Sequence, residues 1–218
     1  MSAPKLRTAI LISGRGSNMT SLIAAAKSPD FPAEIVLVLS NKPDAPGLVS
    51  AKAQGFATAA VDHKIYAGRE AFEASLQAIL TAHRIDFICL AGFMRLLTAS
   101  FTQAWHGRMI NIHPALLPSY KGLHTHERAL ADGVKIHGCT VHYVVPDMDA
   151  GPIIAQAAVP VLDDDTPDTL GARVLAQEHV IYPLALKLAA GGLVHYEGQR
   201  VLGAVSQAQP ALVVPHPQ

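Results

Sequence analysis

The amino-acid sequence predicts an α/β protein with a doubly wound, Rossmann-like and mostly parallel mixed sheet flanked by helices. Short apolar runs bounded by turn residues fall at 8–12, 34–39, 57–61 and 87–91. Segments of helical spacing separate them, and a Gly-rich turn follows the first run directly. Apolar strands that alternate with helices are the pattern of parallel strands joined by crossover helices.

The first strand gives way to Ser13-Gly14-Arg15-Gly16, and a helix is expected over 17–27 from its Ser/Asn-rich start. Helix 45–54 follows strand 34–39 and has Gly55 as its stop; helix 68–83 links strands 57–61 and 87–91. From Met109 the texture changes to a buried strand 109–112, a Pro-rich loop, a short helix near 126–132 and a long alternating strand 137–145. Apolar segments at 153–161 and 193–196 predict further strands, some antiparallel, which makes the sheet mixed. The acidic cluster from Asp163 to Asp168 reads as a helix start, and the apolar spacing from Leu170 to Leu188 as a long amphipathic helix ending at Gly191-Gly192. Residues 1–204 are expected to form one domain, and 205–218 an uncharged, Pro-containing tail that frays.

Half of the 218 residues are hydrophobic and the formal net charge is zero, so a substantial core is available and no basic field points to nucleic acid or an acidic membrane. The partner is expected to be a small molecule. No apolar stretch reaches the ~18 residues of a membrane span and no signal peptide opens the chain, which predicts a cytoplasmic protein. Cys89 and Cys139 lie in strand-like runs without a C-x-x-C pair, as expected of reduced strand residues. Eleven histidines, among them His124, His126, His137 and His142, raise the question of a metal, but no zinc-type spacing occurs and no metal is expected.

Two segments carry chemistry. Gly14, Gly16, Ser17 and Asn18 lie between the first strand and the first helix, where free N–H groups and the helix dipole favour a phosphate; a plain glycine turn capped by Ser17 or Asn18 fits the same residues. Met19 replaces the third glycine of the dinucleotide fingerprint, and Ser40-Asn41-Lys42 stands where that fingerprint wants an acid, which disfavours a nicotinamide cofactor. The second segment is Asn111-Ile112-His113-Pro114. In a strand, Asn111 and His113 share one face, and Pro114 keeps His113 extended. Asp149 follows thirty-six residues later, in a turn whose composition alone reads as a solvated loop. An amide, an imidazole and a carboxylate are the parts that hold an oxyanion, move a proton and favour a charged imidazole, if they meet. Taken alone, the Asn/His pair equally fits a polar strand end satisfied by loop backbone.

Gly16-Ser17-Asn18, the stretch from Cys89 to Leu97, Asn111-Ile112-His113-Pro114 with Leu116-Leu117-Pro118 and Gly122, and Asp149 with Gly151-Pro152 together resemble the folate-dependent formyltransferases, from about Leu6 to Leu193. The resemblance implies the formyltransferase fold and transfer of a formyl group from 10-formyltetrahydrofolate to the amine of glycinamide ribonucleotide in purine biosynthesis. It assigns catalysis to Asn111, His113 and Asp149, and the substrate phosphate to Gly16, Ser17 and Asn18. Glu178 is assigned to the substrate ribose, although an exposed helix carboxylate is an equal reading of that residue. The folate is assigned to Arg69, Met94, Arg95, Leu96, Leu97 and Asn111; otherwise these would be a surface helix charge, a strand-end turn and a strand residue. Within the family, neutral charge and a short tail point away from a tRNA acceptor, and a start at strand one points away from the formyltetrahydrofolate hydrolases. A non-catalytic folate- or nucleotide-binding protein is the alternative of a different class, and a monomer or homodimer is expected.

Overall fold

The structure is a computed structural model that describes residues 4–203 together with 212 and 214. The expected tail, 205–218, otherwise lies outside the described residues. Seven strands form one sheet: β1 (Leu6–Ile12), β2 (Ala33–Ser40), β3 (Ala57–Ala60), β4 (Phe87–Leu90), β5 (Met109–His113), β6 (Ile136–Tyr143) and β7 (Ile153–Pro160). Their order is β3-β2-β1-β4-β5-β6-β7, with β1 to β5 mutually parallel and β6 antiparallel to both of its neighbours, β5 and β7, so the expected mixed sheet is observed.

The period-2 alternation of β1 explains why helices cover both faces. Ile10 and Ile12 pack with Met19, Leu22 and Ile23 of α1 (Ser17–Ala26), Leu48 of α2 (Pro46–Ala53) and Val174 and Leu186 of α6 (Pro167–Ala190). Ala9 and Leu11 pack on the other side with Phe72, Leu76 and Leu80 of α3 (Arg69–Ala82) and Phe101 of α4 (Ala99–Ala104). Buried Tyr182 fastens α6 to the sheet by donating its hydroxyl to the carbonyls of Leu90 (2.9 Å) and Ile110 (3.3 Å).

Sequence and structure differ at a few places. α4 was not expected; the Thr98 side chain caps it by accepting from the Phe101 N–H, a local bond invisible to apolar periodicity. The apolar segment at 193–196 becomes the first arm of a hairpin, β8 (His195–Glu197) with β9 (Arg200–Leu202). α6 does start inside the expected 163–168 segment, capped there by Thr166 with Thr169, while Asp165 turns to Arg173, whose hydrogen bonds hold its carboxyl well below the usual range. The short helix is α5 (Thr125–Ala131). Cys89 and Cys139 are free and buried in β4 and β6, and burial pushes the Cys139 thiol up to about 12. No helix among the described residues is long and apolar enough to cross a membrane.

Candidate active site

The strand order reverses between β1 and β4, and the crevice of a doubly wound sheet forms beyond the carboxyl ends of the strands at such a point. A cavity of about 540 Å³ opens next to it. Its lining includes 92–97 after β4, 111–114 at the end of β5, His142 of β6 and 144–149.

Asn111 and His113 both line this cavity, while Ile110 and Ile112 turn to the α1/α6 core, as strand alternation requires. Asp149 reaches the same wall: its Oδ2 stands 3.4 Å from His113 Nδ1 and accepts the Gly122 N–H at 2.9 Å. The carboxylate is nearly buried, with 12 % of its side chain exposed, so Asp149 points inward from a turn whose residues 146–148 are exposed, as its composition suggested. Asp149 has φ 51°, a left-handed conformation that aspartate tolerates better than most residues. Two residues on, a Cβ at Gly151 would overlap the Tyr143 carbonyl, so glycine is required for the turn to close against β6.

His113 Nε2 lies 2.8 Å from the Tyr120 carbonyl. Both ring nitrogens therefore face oxygens that only accept.

His142, considered from sequence only as a possible metal ligand, joins this group. The β5–β6 register pairs it with Asn111 across the strands. Its Nδ1 lies 2.8 Å from the Tyr143 carbonyl and must carry the hydrogen there, which leaves Nε2 to accept from Asn111 Nδ2 at 3.2 Å. Burial, the largest influence, lowers its pKa and favours this neutral form, although Asp149 Oδ1 at 3.8 Å pulls the other way. Neutral His142 thus fixes which way the Asn111 amide points. The cross-strand partner of Asn111 in an antiparallel strand pair was the available signal, but it needed the β5–β6 register.

Thr140, opposite His113 in the register, holds the Pro-rich loop: it accepts the Leu117 N–H at 3.0 Å and donates to the Ala115 carbonyl at 2.7 Å. Behind the loop, buried His137 has Nε2 3.2 Å from His126 Nδ1. Desolvation first, and then the neighbouring His126, pushes its pKa down to about 4. His124 occupies the cap position before α5 and makes no side-chain capping bond. Among the described residues no group able to hold a metal is found.

The Gly-rich loop runs between β1 and α1. Gly16 caps α1 with φ 76°, a conformation natural to glycine, and neither Ser17 nor Asn18 makes the capping bond that a plain turn reading allowed. Asn18 instead donates to Glu178 Oε2 at 2.6 Å, 160 residues away on α6. Glu178 is buried, which excludes the exposed-carboxylate reading; burial raises its pKa against the lowering effect of Asn18. Asn18 Oδ1 is buried without a hydrogen-bond partner.

Met94, Arg95, Leu96 and Leu97 line the cavity, with Arg95 Nε buried and unpaired. The exposed apolar side chains of Met94 and Leu96 lie there as well. Gly16, Ser17, Asn18 and Glu178 form a separate cluster outside the cavity lining. Arg69 opens α3 as an exposed residue and is likewise absent from the lining.

A chain with this sheet and this set of side chains is matched by known proteins over nearly all of its length. Residues 6–186 match the family described as formyl transferase. The trifunctional purine biosynthetic protein adenosine-3 of Homo sapiens is 50% identical over 190 residues; that match takes in 87% of this chain, which spans only 19% of that protein's length. Phosphoribosylglycinamide formyltransferase of Escherichia coli (strain K12) is 44% identical over 183 residues, covering 84% of this chain and 86% of that protein. Among solved structures, glycinamide ribonucleotide transformylase 1 from Symbiobacterium toebii superposes with a TM-score of 0.88 at 44% identity, covering 90% of this chain and 93% of that one. Fold and sequence match agree, and the chain belongs to the formyl transferase family.

Proposed function

We propose that this protein transfers the formyl group of 10-formyltetrahydrofolate to the amine of glycinamide ribonucleotide, a step of purine biosynthesis carried out in the cytoplasm. The observation that carries the reading is the convergence of Asn111, His113 and Asp149 on one cavity wall. Binding alone does not call for such a set.

Gly16, Ser17 and Asn18 hold the ribonucleotide phosphate at the start of α1, and Glu178 accepts from its ribose hydroxyls. The folate ring lies in the cavity against Met94, Arg95, Leu96 and Leu97, and Arg69 meets the distal, anionic part of the folate. The substrate amine attacks the formyl carbon, forming a C–N bond while the carbonyl electrons become an oxyanion. Asn111 Nδ2–H and the His113 imidazolium stabilise that charge, and Asp149 orients the ring and balances its positive charge. Collapse restores the carbonyl, breaks the bond to the folate nitrogen and leaves the proton lost by the amine on that nitrogen. The Tyr120 carbonyl caps His113 Nε2 in the present conformation, so donation from this atom requires exchange of that acceptor for the formyl oxygen.

Absorbance-monitored deformylation of a 10-formylfolate donor tests the proposal, with and without glycinamide ribonucleotide and without added metal. Turnover that depends on the ribonucleotide is expected. Equal turnover without it would make the enzyme a hydrolase, and no turnover would favour another acceptor or a binding protein.

A further inference from the structure

The loops after β1 and β4 flank the reversal of strand order, because β1 pairs with β2 on one side and β4 on the other. Residues 92–97 of the second loop make no backbone–backbone hydrogen bond among the described residues. Two side chains from elsewhere hold the loop instead. At its far end, buried Glu73 of α3 accepts the Thr98 N–H at 2.7 Å and the Thr98 hydroxyl. At its start, the Met94 N–H donates to Ser13 Oγ at 2.7 Å.

Ser13 is 5 % exposed and stands at the carboxyl end of β1, three residues before the phosphate loop's Gly16. A hydroxyl has one hydrogen, and here it goes to Asn41 Oδ1 at 2.5 Å, leaving the oxygen lone pairs to the Met94 N–H. Asn41 is itself 1 % exposed at the end of β2. A directed chain, Met94 N–H to Ser13 O–H to Asn41 carbonyl, therefore runs across the ends of three strands with every donor matched to an acceptor. The Met94 side chain is 63 % exposed and gives the loop little anchorage of its own.

We infer that Ser13 is a positioning residue for the formyl-donor site, its hydroxyl fixing the folate-facing loop to the strand that carries the phosphate loop. This rests on the proposed assignment of 94–97 to the folate. Ser13 is not part of the cavity lining; it sets where the Met94–Leu97 backbone stands.

The test compares the parent protein, Ser13→Ala and Ser13→Thr by steady-state kinetics and by hydrogen exchange of the Met94 amide. Ser13→Ala is expected to raise the donor KM about 5- to 10-fold, the worth of one net hydrogen bond. kcat and the ribonucleotide KM stay within about twofold, and Met94 exchange accelerates about tenfold while β1 and β4 amides keep their protection. Ser13→Thr keeps the hydroxyl and restores both readouts to within about threefold. Unchanged donor KM and Met94 exchange in Ser13→Ala would overturn the inference. So would an equal rise in both KM values, or a threonine variant as impaired as the alanine one. Ribonucleotide-independent turnover in the parent would overturn the acceptor assignment alone, since the donor KM is still read. With no turnover at all, Met94 exchange decides the role of Ser13.

Discussion

The parallel and antiparallel sides of the cleft invert the division of labour between backbone and side chain. After β1 and β4 the chain presents main-chain N–H groups and loop backbone, and buried side chains hold them in place: Ser13 the Met94 N–H and Glu73 the Thr98 N–H. At β5, β6 and the turn at Asp149 the chain presents side chains, and backbone groups hold those: the carbonyls of Tyr120 and Tyr143 on His113 and His142, and the Gly122 N–H on Asp149. Loops that present backbone suit anions and ring edges that must be bound; side chains on paired strands suit a reaction that needs a charge and a mobile proton placed exactingly. Changes on the first side should therefore act through KM and changes on the second through kcat.

The hardest test of that contrast is His113→Ala, which should lower kcat by on the order of 10²- to 10³-fold, the scale of losing one oxyanion donor, with both KM values little moved. A near-normal rate in stopped or continuous assays would remove the proposed mechanism. Acid should act next, through His137 behind the same loop. Its folded pKa, about 4, lies below the ordinary 6.5, so the folded state binds this proton less readily than the unfolded chain. Stability from this group is complete above pH ~6.5 and falls as pH drops through that value towards 4, by about 3 kcal/mol at most. Denaturant titrations of the parent and of His137→Phe at pH 7 and 4.5 should show the parent losing the more stability; parallel losses would contradict it.

Gly151→Ala should come third, costing about 2 kcal/mol because the added methyl meets the Tyr143 carbonyl and the turn must shift. Thermal unfolding measures that cost, and a fall in kcat should accompany it as Asp149 leaves His113. The smallest effect sharpens the other side: Glu178→Gln should raise the ribonucleotide KM about tenfold and leave kcat within about twofold, since a hydrogen bond to a charged acceptor is weakened. A fall in kcat without a change in KM would erase the distinction between the two sides.

Much of this was legible before any tertiary contact was known. Alternating apolar runs and helical segments gave the winding of the sheet, and the two-residue spacing of Asn111 and His113 placed them on one face because strand geometry has period two. The short α4 was missed because a single Thr98 cap, not a repeating apolar face, starts it. Asp149 was named but could not be placed, and its surroundings pointed to solvent; only the β6–β7 turn folding back over β5 buries it.

The sequence by itself determined the strand and helix alternation, the Gly-rich turn between β1 and α1 and the shared face of Asn111 and His113, because each depends on neighbours within a few residues and on fixed local periodicities. The tertiary structure decided the rest. It set His142 against Asn111 through antiparallel register, Glu178 against Asn18 through the docking of α6, and Ser13 against Met94 through the reversal of strand order. Those contacts join residues between 31 and 160 positions apart, and what brings them together is the packing of both sheet faces, which no local period encodes.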